Sequence, residues 1–305
     1  MESLIHFLQQ YLFAGQEHFN SLTHLAGLPV LGLAVGYASG LFGVGGGFML
    51  TPLLISLFGV PPGIAVGSGL AQMIVISITA ARRHAAAGYV DVKMAGWMAP
   101  GVVTGAFAGK WLLDWLSSLG QLTFLGQRHP AASLILSIIF FVLLTGTALR
   151  LWVGDASSAG FVDDGPLRWS NGPVPVQLPA SGIKPFSVVT LLLGGTMAGV
   201  MAGLLGVGGG IIVVPLLVYG FGIALRMAIG TSSALVLVSA VVGATAHLIG
   251  QHINLTLVAA LLLGSFLGVR AGVWHSHRLH TTHLQRAFAL LVLLVAGIVL
   301  FDLIR

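Results

Sequence analysis

Gly40-Leu-Phe-Gly-Val-Gly-Gly-Gly47 returns as Gly203-Leu-Leu-Gly-Val-Gly-Gly-Gly210, an offset of 163 residues, and this pair of stretches decides the fold. The same offset holds without gaps on both sides of the motif. It carries Gly32, Gly36 and Gly40 onto Gly195, Gly199 and Gly203, and Pro52 onto Pro215. Further on it carries Gly67-Ser68 onto Gly230-Thr231, His84 onto His247 and Asp91 onto Asn254. It ends by matching Gly101, Gly105, Gly109 and Trp111 with Gly264, Gly268, Gly272 and Trp274. The chain is an internal duplication, the usual construction of secondary transporters.

Each glycine cluster sits inside a long apolar stretch. Consecutive glycines in a helix interior cost about 1 kcal/mol each relative to alanine, so they predict a deliberate break. At a break the backbone amides and carbonyls lose their partners, and lipid cannot replace them; they line a cavity or meet a ligand. The chain resumes as helix towards Pro52 and Pro215, and free amides at a helix start attract anions. Such glycines also serve tight helix crossing, but two symmetric copies favour a substrate site. The candidate binding residues are therefore Gly43, Gly45, Gly46, Gly47 and Thr51 in the first copy, and Gly206, Gly208, Gly209 and Gly210 in the second. Ser68, Gln72, Thr231, Ser232 and Ser233 begin the next segments and add hydroxyl and amide donors. Hydroxyls in membrane helices also bond their own backbone or a neighbouring helix.

Composition supplies the environment. Of 305 residues 56% are hydrophobic and 7% charged, with 13 basic, 8 acidic and no cysteine residues. A soluble domain carries about 25% charged residues, so most of this surface faces lipid. The fold class is an all-α polytopic membrane protein. Eight apolar stretches, about 27–58, 62–82, 93–116, 131–152, 186–221, 225–248, 254–274 and 284–304, are candidate spans. The chain divides into an interfacial segment 1–26, a first transmembrane repeat 27–152, a polar linker 153–185 and a second repeat 186–305. Leu4, Phe7, Leu8, Tyr11 and Leu12 opposite Gln9 and Gln10 predict a short interfacial helix, and Met1–Ala14 lacks the basic region of a signal peptide.

If the first segment of each repeat is re-entrant, each repeat crosses three times and the two are inverted. With the N-terminus outside, ten basic residues then fall inside and three (Lys110, Arg128 and Arg305) outside, as the positive-inside rule asks. Eight simple spans split them seven to six. The Gly-x-x-x-Gly ladders predict close helix packing in the interior, and Arg270 among them can snorkel to the inner interface.

No carboxylate falls in mid-span, which tilts the cargo towards an anion or a neutral molecule and leaves no obvious coupling residue. The scattered basic residues do not suit nucleic acid. No metal site and no cofactor is indicated. His275, His277, His280 and His283 with Arg278 read as a solvated loop, and His84 and His247 as interfacial residues at span ends. Gly67-Ser68-Gly69 superficially suits a serine nucleophile, but no histidine base matches its depth, so the chain does not read as an enzyme.

The duplicated Gly-x-Gly-Gly-Gly followed by Pro52 or Pro215, the Gly-Ser/Thr start of the next helix and the eight-segment layout resemble the TauE/SafE sulfite exporter family, over roughly 27–150 and 186–302. The resemblance implies transport of small sulfur-containing anions, sulfite or organosulfonates, across a bacterial inner membrane. The expectation is a secondary transporter of a small anion, multi-pass in that membrane, with the lipid bilayer around it and a homodimer as a possible assembly. The alternative is a passive channel for a small neutral or anionic solute.

Overall fold

The computed structural model describes residues 22–124, 127–153, 175–178, 183–206, 208–250 and 252–304. The expected interfacial helix and residues 154–174 of the linker lie outside the described residues. Among the described residues ten helices carry the fold. The first half holds α1 (Leu22–Phe42), α2 (Gly47–Phe58), α3 (Pro62–Ala86), α4 (Val92–Ser118) and α5 (Ala131–Val153). The second holds α6 (Val188–Leu205), α7 (Gly210–Pro215) with a π-helical turn over Leu216–Gly220, α8 (Leu225–Ile249), α9 (Leu255–Ser276) and α10 (Thr281–Ile304).

Among the described residues four helices, α3, α6, α8 and α9, are long and apolar enough to cross a membrane. A helix apolar on every face is buried or in lipid, and here both occur. Inward residues such as Leu70, Ile76 and Val236 are buried, while Leu263, Leu267, Leu193 and Trp111 are each more than 60% exposed on the outer surface. Buried polar caps set several helix starts. The Asp91 carboxylate accepts from the Met94 amide at α4, and Asn254 accepts from Leu257 at α9, both at 2.9 Å.

The glycine ladders decide which helices touch. A Cβ placed on Gly32, Gly36 or Gly40 of α1 would overlap the carbonyls of Leu261, Ser265 or Val269 on α9. One on Gly264, Gly268 or Gly272 would overlap those of Pro29, Leu33 or Tyr37 in return. Residue numbers rise together on both helices, so α1 and α9 run parallel with their backbones in direct contact. Gly101, Gly105 and Gly109 of α4 stand the same way against Leu192, Thr196 and Val200 of α6. Close interior packing was the expectation. The tertiary structure adds that every ladder pairs the first helix of one half with the fourth helix of the other, so the halves are intertwined.

At the centre α3 crosses α8 antiparallel: Gly67 lies against His247, Leu70 against Gly243, and Gly230 against His84. The α1–α2 pair folds as a hairpin, because Gly27 near the start of α1 meets the Phe58 ring at the end of α2 (3.2 Å from the Cβ position). The 12 residues of α2 reach about 18 Å at 1.5 Å per residue, roughly half a bilayer core.

The all-α class holds, and among the described residues two short antiparallel hairpins accompany the helices, β1 (Gln121–Phe124) with β2 (Gln127–Pro130), and β3 (Pro175–Leu178) with β4 (Ile183–Ser187). The second lies at the end of the polar linker 153–185 and runs on to Ser187 at the start of α6. Strands of four or five residues are too short to leave a periodic signal, and they pair backbone groups where the helices stop.

Candidate functional site at the two glycine breaks

Both predicted breaks exist, and their described glycines share the same left-handed angles. Gly43, Gly45 and Gly46 have φ of 67°, 76° and 72°; Gly206, Gly208 and Gly209 have 67°, 69° and 75°. These left-handed angles cost any other residue about 1–2 kcal/mol each. Space forbids a side chain as well. A Cβ on Gly46 would stand 2.6 Å from Val35 Cγ1, and one on Gly209 2.6 Å from the Ala198 carbonyl oxygen.

Hydrogen bonding restarts when Met49 and Leu50 donate to the Gly46 carbonyl, and when Ile212 and Val213 donate to that of Gly209. The amides of Gly47 and Phe48, and of Gly210 and Ile211, therefore precede the first helical bond. In the second copy the helix loosens into the π-helical turn directly after Pro215, which has no N–H to donate.

The two breaks converge. A Cβ on Gly210 would lie 2.5 Å from Val44 Cα, so the second loop rests on the first. Met73 of α3 and Val236 of α8, themselves one repeat apart, both press on Gly45 and on Gly208. This apolar pair fills the space between the loops where α3 and α8 cross. Sequence reading passed over both residues because a Met and a Val in apolar helices carry no signal of their own; only the 163-residue offset links them.

The polar candidates distribute unevenly. The Ser68 hydroxyl oxygen accepts from the Asn254 amide at 2.9 Å, and that of Thr231 from the Asp91 amide at 3.0 Å. Each ties its helix to the start of the fourth helix in the other half, α9 and α4 respectively. Both sit in the second turn of their helices rather than at the first residue, and the neighbouring Gly67 and Gly230 let the His252 and Tyr89 backbones approach. Ser232 donates to the Gly43 carbonyl at 2.8 Å, and Ser233 to the Ile229 carbonyl of its own helix at 3.0 Å. Ser239, absent from the sequence-based set, donates to the Gly208 carbonyl at 2.7 Å. Ser232 and Ser239 thus each hold a break from α8.

Gln72 and Thr51 remain, and Ser77, absent from the sequence-based set, joins them. Gln72 donates its side-chain NH2 to the Ser265 hydroxyl oxygen, and Ser265 in turn donates to the Leu261 and Gly32 carbonyls at 2.7 and 3.0 Å. The Gln72 carbonyl oxygen and the Thr51 and Ser77 hydroxyls are buried without a hydrogen-bond partner. A buried polar atom left unpaired costs about 1–3 kcal/mol, so three on neighbouring elements of one half are a functional signal.

Histidines gather at both ends of the α3–α8 pair. His84 Nδ1 and His277 Nε2 are 3.2 Å apart, with Tyr89 against the His277 ring, while His247 stacks edge-on with His252. His277 was expected in a solvated loop; it caps α9 and turns inward. Burial, and then the nearby Arg226 guanidinium, hold its pKa below the usual histidine value. Among the described residues no group of His, Asp or Glu is arranged to hold a metal.

Helices of membrane-crossing length, breaks where backbone amides face an interior, and scarce charge define an integral membrane transporter. The chain belongs to the family described as Sulfite exporter TauE/SafE, whose model matches residues 28–299. It is 24% identical over 287 residues to the probable membrane transporter protein YunE of Bacillus subtilis, covering 90% of this chain and 97% of that one. It is 28% identical over 269 residues to the probable membrane transporter protein YjnA of the same organism, covering 88% and 96%. A probable membrane transporter protein of Methanocaldococcus jannaschii is 28% identical over 207 residues, covering 65% of this chain and 63% of that one. No solved structure matches the chain.

Proposed function

We propose that the protein is a secondary transporter of a small anion, sulfite or an organosulfonate, in a bacterial inner membrane. The observation that carries this reading is the meeting of the two glycine breaks across the α3–α8 crossing, with α2 beginning there. Helix-start amides and hydroxyls can hold an anion there without a buried cation.

In this reading the two repeats are inverted about an axis in the membrane plane. The antiparallel run of α3 and α8, which are repeat mates, supports the inversion, as do the α1–α2 hairpin and the half-length α2. A secondary transporter works by rocking such repeats around a central site. Met73 and Val236 wedged between the breaks speak for alternating access and against an open pore. A C-terminal tag on this topology stays outside the cytoplasm of intact cells, and labelling from the cytoplasmic side refutes it. Function is tested in proteoliposomes given sulfite, sulfoacetate, thiosulfate and a carboxylate control, with and without a proton gradient. Gly46→Val and Gly209→Val are expected to abolish flux in protein that still inserts, and undiminished flux in both overturns the site.

A further inference from the structure

The two halves share a backbone but not a set of side chains. Thr51 and Gln72 are 1% and 0% exposed, and the Thr51 hydroxyl and Gln72 carbonyl have no partner. Their mates at the 163-residue offset are Val214 and Leu235, which have no polar atom to satisfy. The third difference lies between them. Gly69 of α3 corresponds to Ser232 of α8, whose hydroxyl is already engaged by the Gly43 carbonyl. At these three positions the second half is therefore complete without a ligand, and the first is not.

Gly69 is also roomier than its neighbours. A Cβ there would meet only Leu50 Cδ2 at 3.4 Å and Thr51 Oγ1 at 3.8 Å, whereas one on Gly67 would run into the His252 carbonyl. Gln72 follows three residues later on α3, so its Cβ lies about 5–6 Å from that position on the same face. Its carbonyl orientation follows from the Ser265 contact. Gln72 presents its NH2 to the Ser265 hydroxyl oxygen, whose one hydrogen is shared between the Leu261 and Gly32 carbonyls, and the Gln72 carbonyl is left facing the other way.

We propose that the first half alone carries the substrate pocket, over Gly69, with the Thr51 hydroxyl and the Gln72 carbonyl as its polar walls, and that it takes a small oxyanion bearing one proton. This rests on the anion-transport reading above and narrows it. The Thr51 hydroxyl donates to an anionic oxygen. The Gln72 carbonyl only accepts, repels a bare anion and pairs with an O–H. Hydrogensulfite offers both groups; a sulfonate such as methanesulfonate, ionised at all ordinary pH, offers no O–H.

The experiment uses the full-length chain in proteoliposomes and follows sulfite and methanesulfonate uptake across the pH range in which sulfite gains its proton. Wild type is expected to prefer sulfite by about tenfold or more, the worth of one good hydrogen bond, with uptake falling as pH rises after correction for any imposed gradient. Thr51→Val, Gln72→Leu and Gly69→Ser each install the residue that the same backbone already houses in the second half. All three are expected to keep or raise the melting temperature and to lose about tenfold or more in sulfite uptake. Gln72→Leu also erases the pH slope, and Thr51→Ser restores uptake. Equal wild-type uptake of the two anions, or a sulfite uptake indifferent to pH, overturns the proposal without any variant. Wild-type flux with unchanged flux in Thr51→Val and Gln72→Leu overturns the pocket and leaves the transporter. No flux of any anion in wild type overturns both.

Discussion

Three glycines separate the reasons for which glycine is needed here, and their alanine variants make a graded prediction. Gly59 closes α2 with φ 63° and has nothing within 4 Å of a Cβ. Gly59→Ala therefore bears only left-handed strain, about 1–2 kcal/mol, reduced by the stiffer unfolded chain. Its expected net cost is about 1 kcal/mol. Gly45 has a similar φ, 76°, but a Cβ would stand 2.6 Å from Met73 Cε and closer still to Val236 Cγ1. Overpacking of this kind adds about 1–3 kcal/mol, so Gly45→Ala is expected to cost about 2–4 kcal/mol. Gly96 lies on the exposed face of α4 with open space around it, and Gly96→Ala gains about 1 kcal/mol from helix propensity. Denaturant unfolding of the three purified variants in one detergent, with flux measured in parallel, gives the order directly. If Gly45→Ala is as mild as Gly59→Ala, Met73 and Val236 do not press on the break, and the picture of two loops meeting around that pair is wrong.

The ladders give a second contrast: Gly105→Ala must push α4 off the Thr196 carbonyl and is expected to cost about 1–3 kcal/mol, while Gly146→Ala on α5, with nothing nearby, is not destabilising in the same unfolding assay. Ser68→Ala and Thr231→Ala remove the acceptors of the Asn254 and Asp91 amides and are each expected to cost about 1–2 kcal/mol. Thermal unfolding should find the two losses similar and Thr231→Ser close to wild type. His277 titrates below its ordinary value because of burial and Arg226, and it faces His84 and Tyr89 as well. The unfolded chain then binds its proton first, so stability is full above about pH 6.5 and falls as pH drops from there towards the lowered folded value. Melting curves against pH should show that loss reduced in His277→Gln, and an unchanged acid limb refutes the assignment.

Much of this was legible in residue order alone. Charge scarcity placed the chain in lipid, and the offset of 163 found the duplication. The glycine clusters located both breaks, because a left-handed backbone under a crowded neighbour admits nothing else. Those are local or compositional properties, and sequence carries them directly.

Partnership had to come from the tertiary structure. Gly32 and Gly264 both announce a close helix contact, yet nothing in either ladder says that α1 takes α9 rather than α4. That choice depends on how the two halves interlock. Ser68 and Thr231 read as free donors until the fold set a backbone amide of the opposite half beside each. Thr51 and Gln72 looked no different from them in sequence, yet the Thr51 hydroxyl and the Gln72 carbonyl were left unpaired. Whether a buried hydroxyl is structural or waits for a ligand depends on what stands 3 Å away, and in a chain of two intertwined halves that neighbour is more than a hundred residues distant.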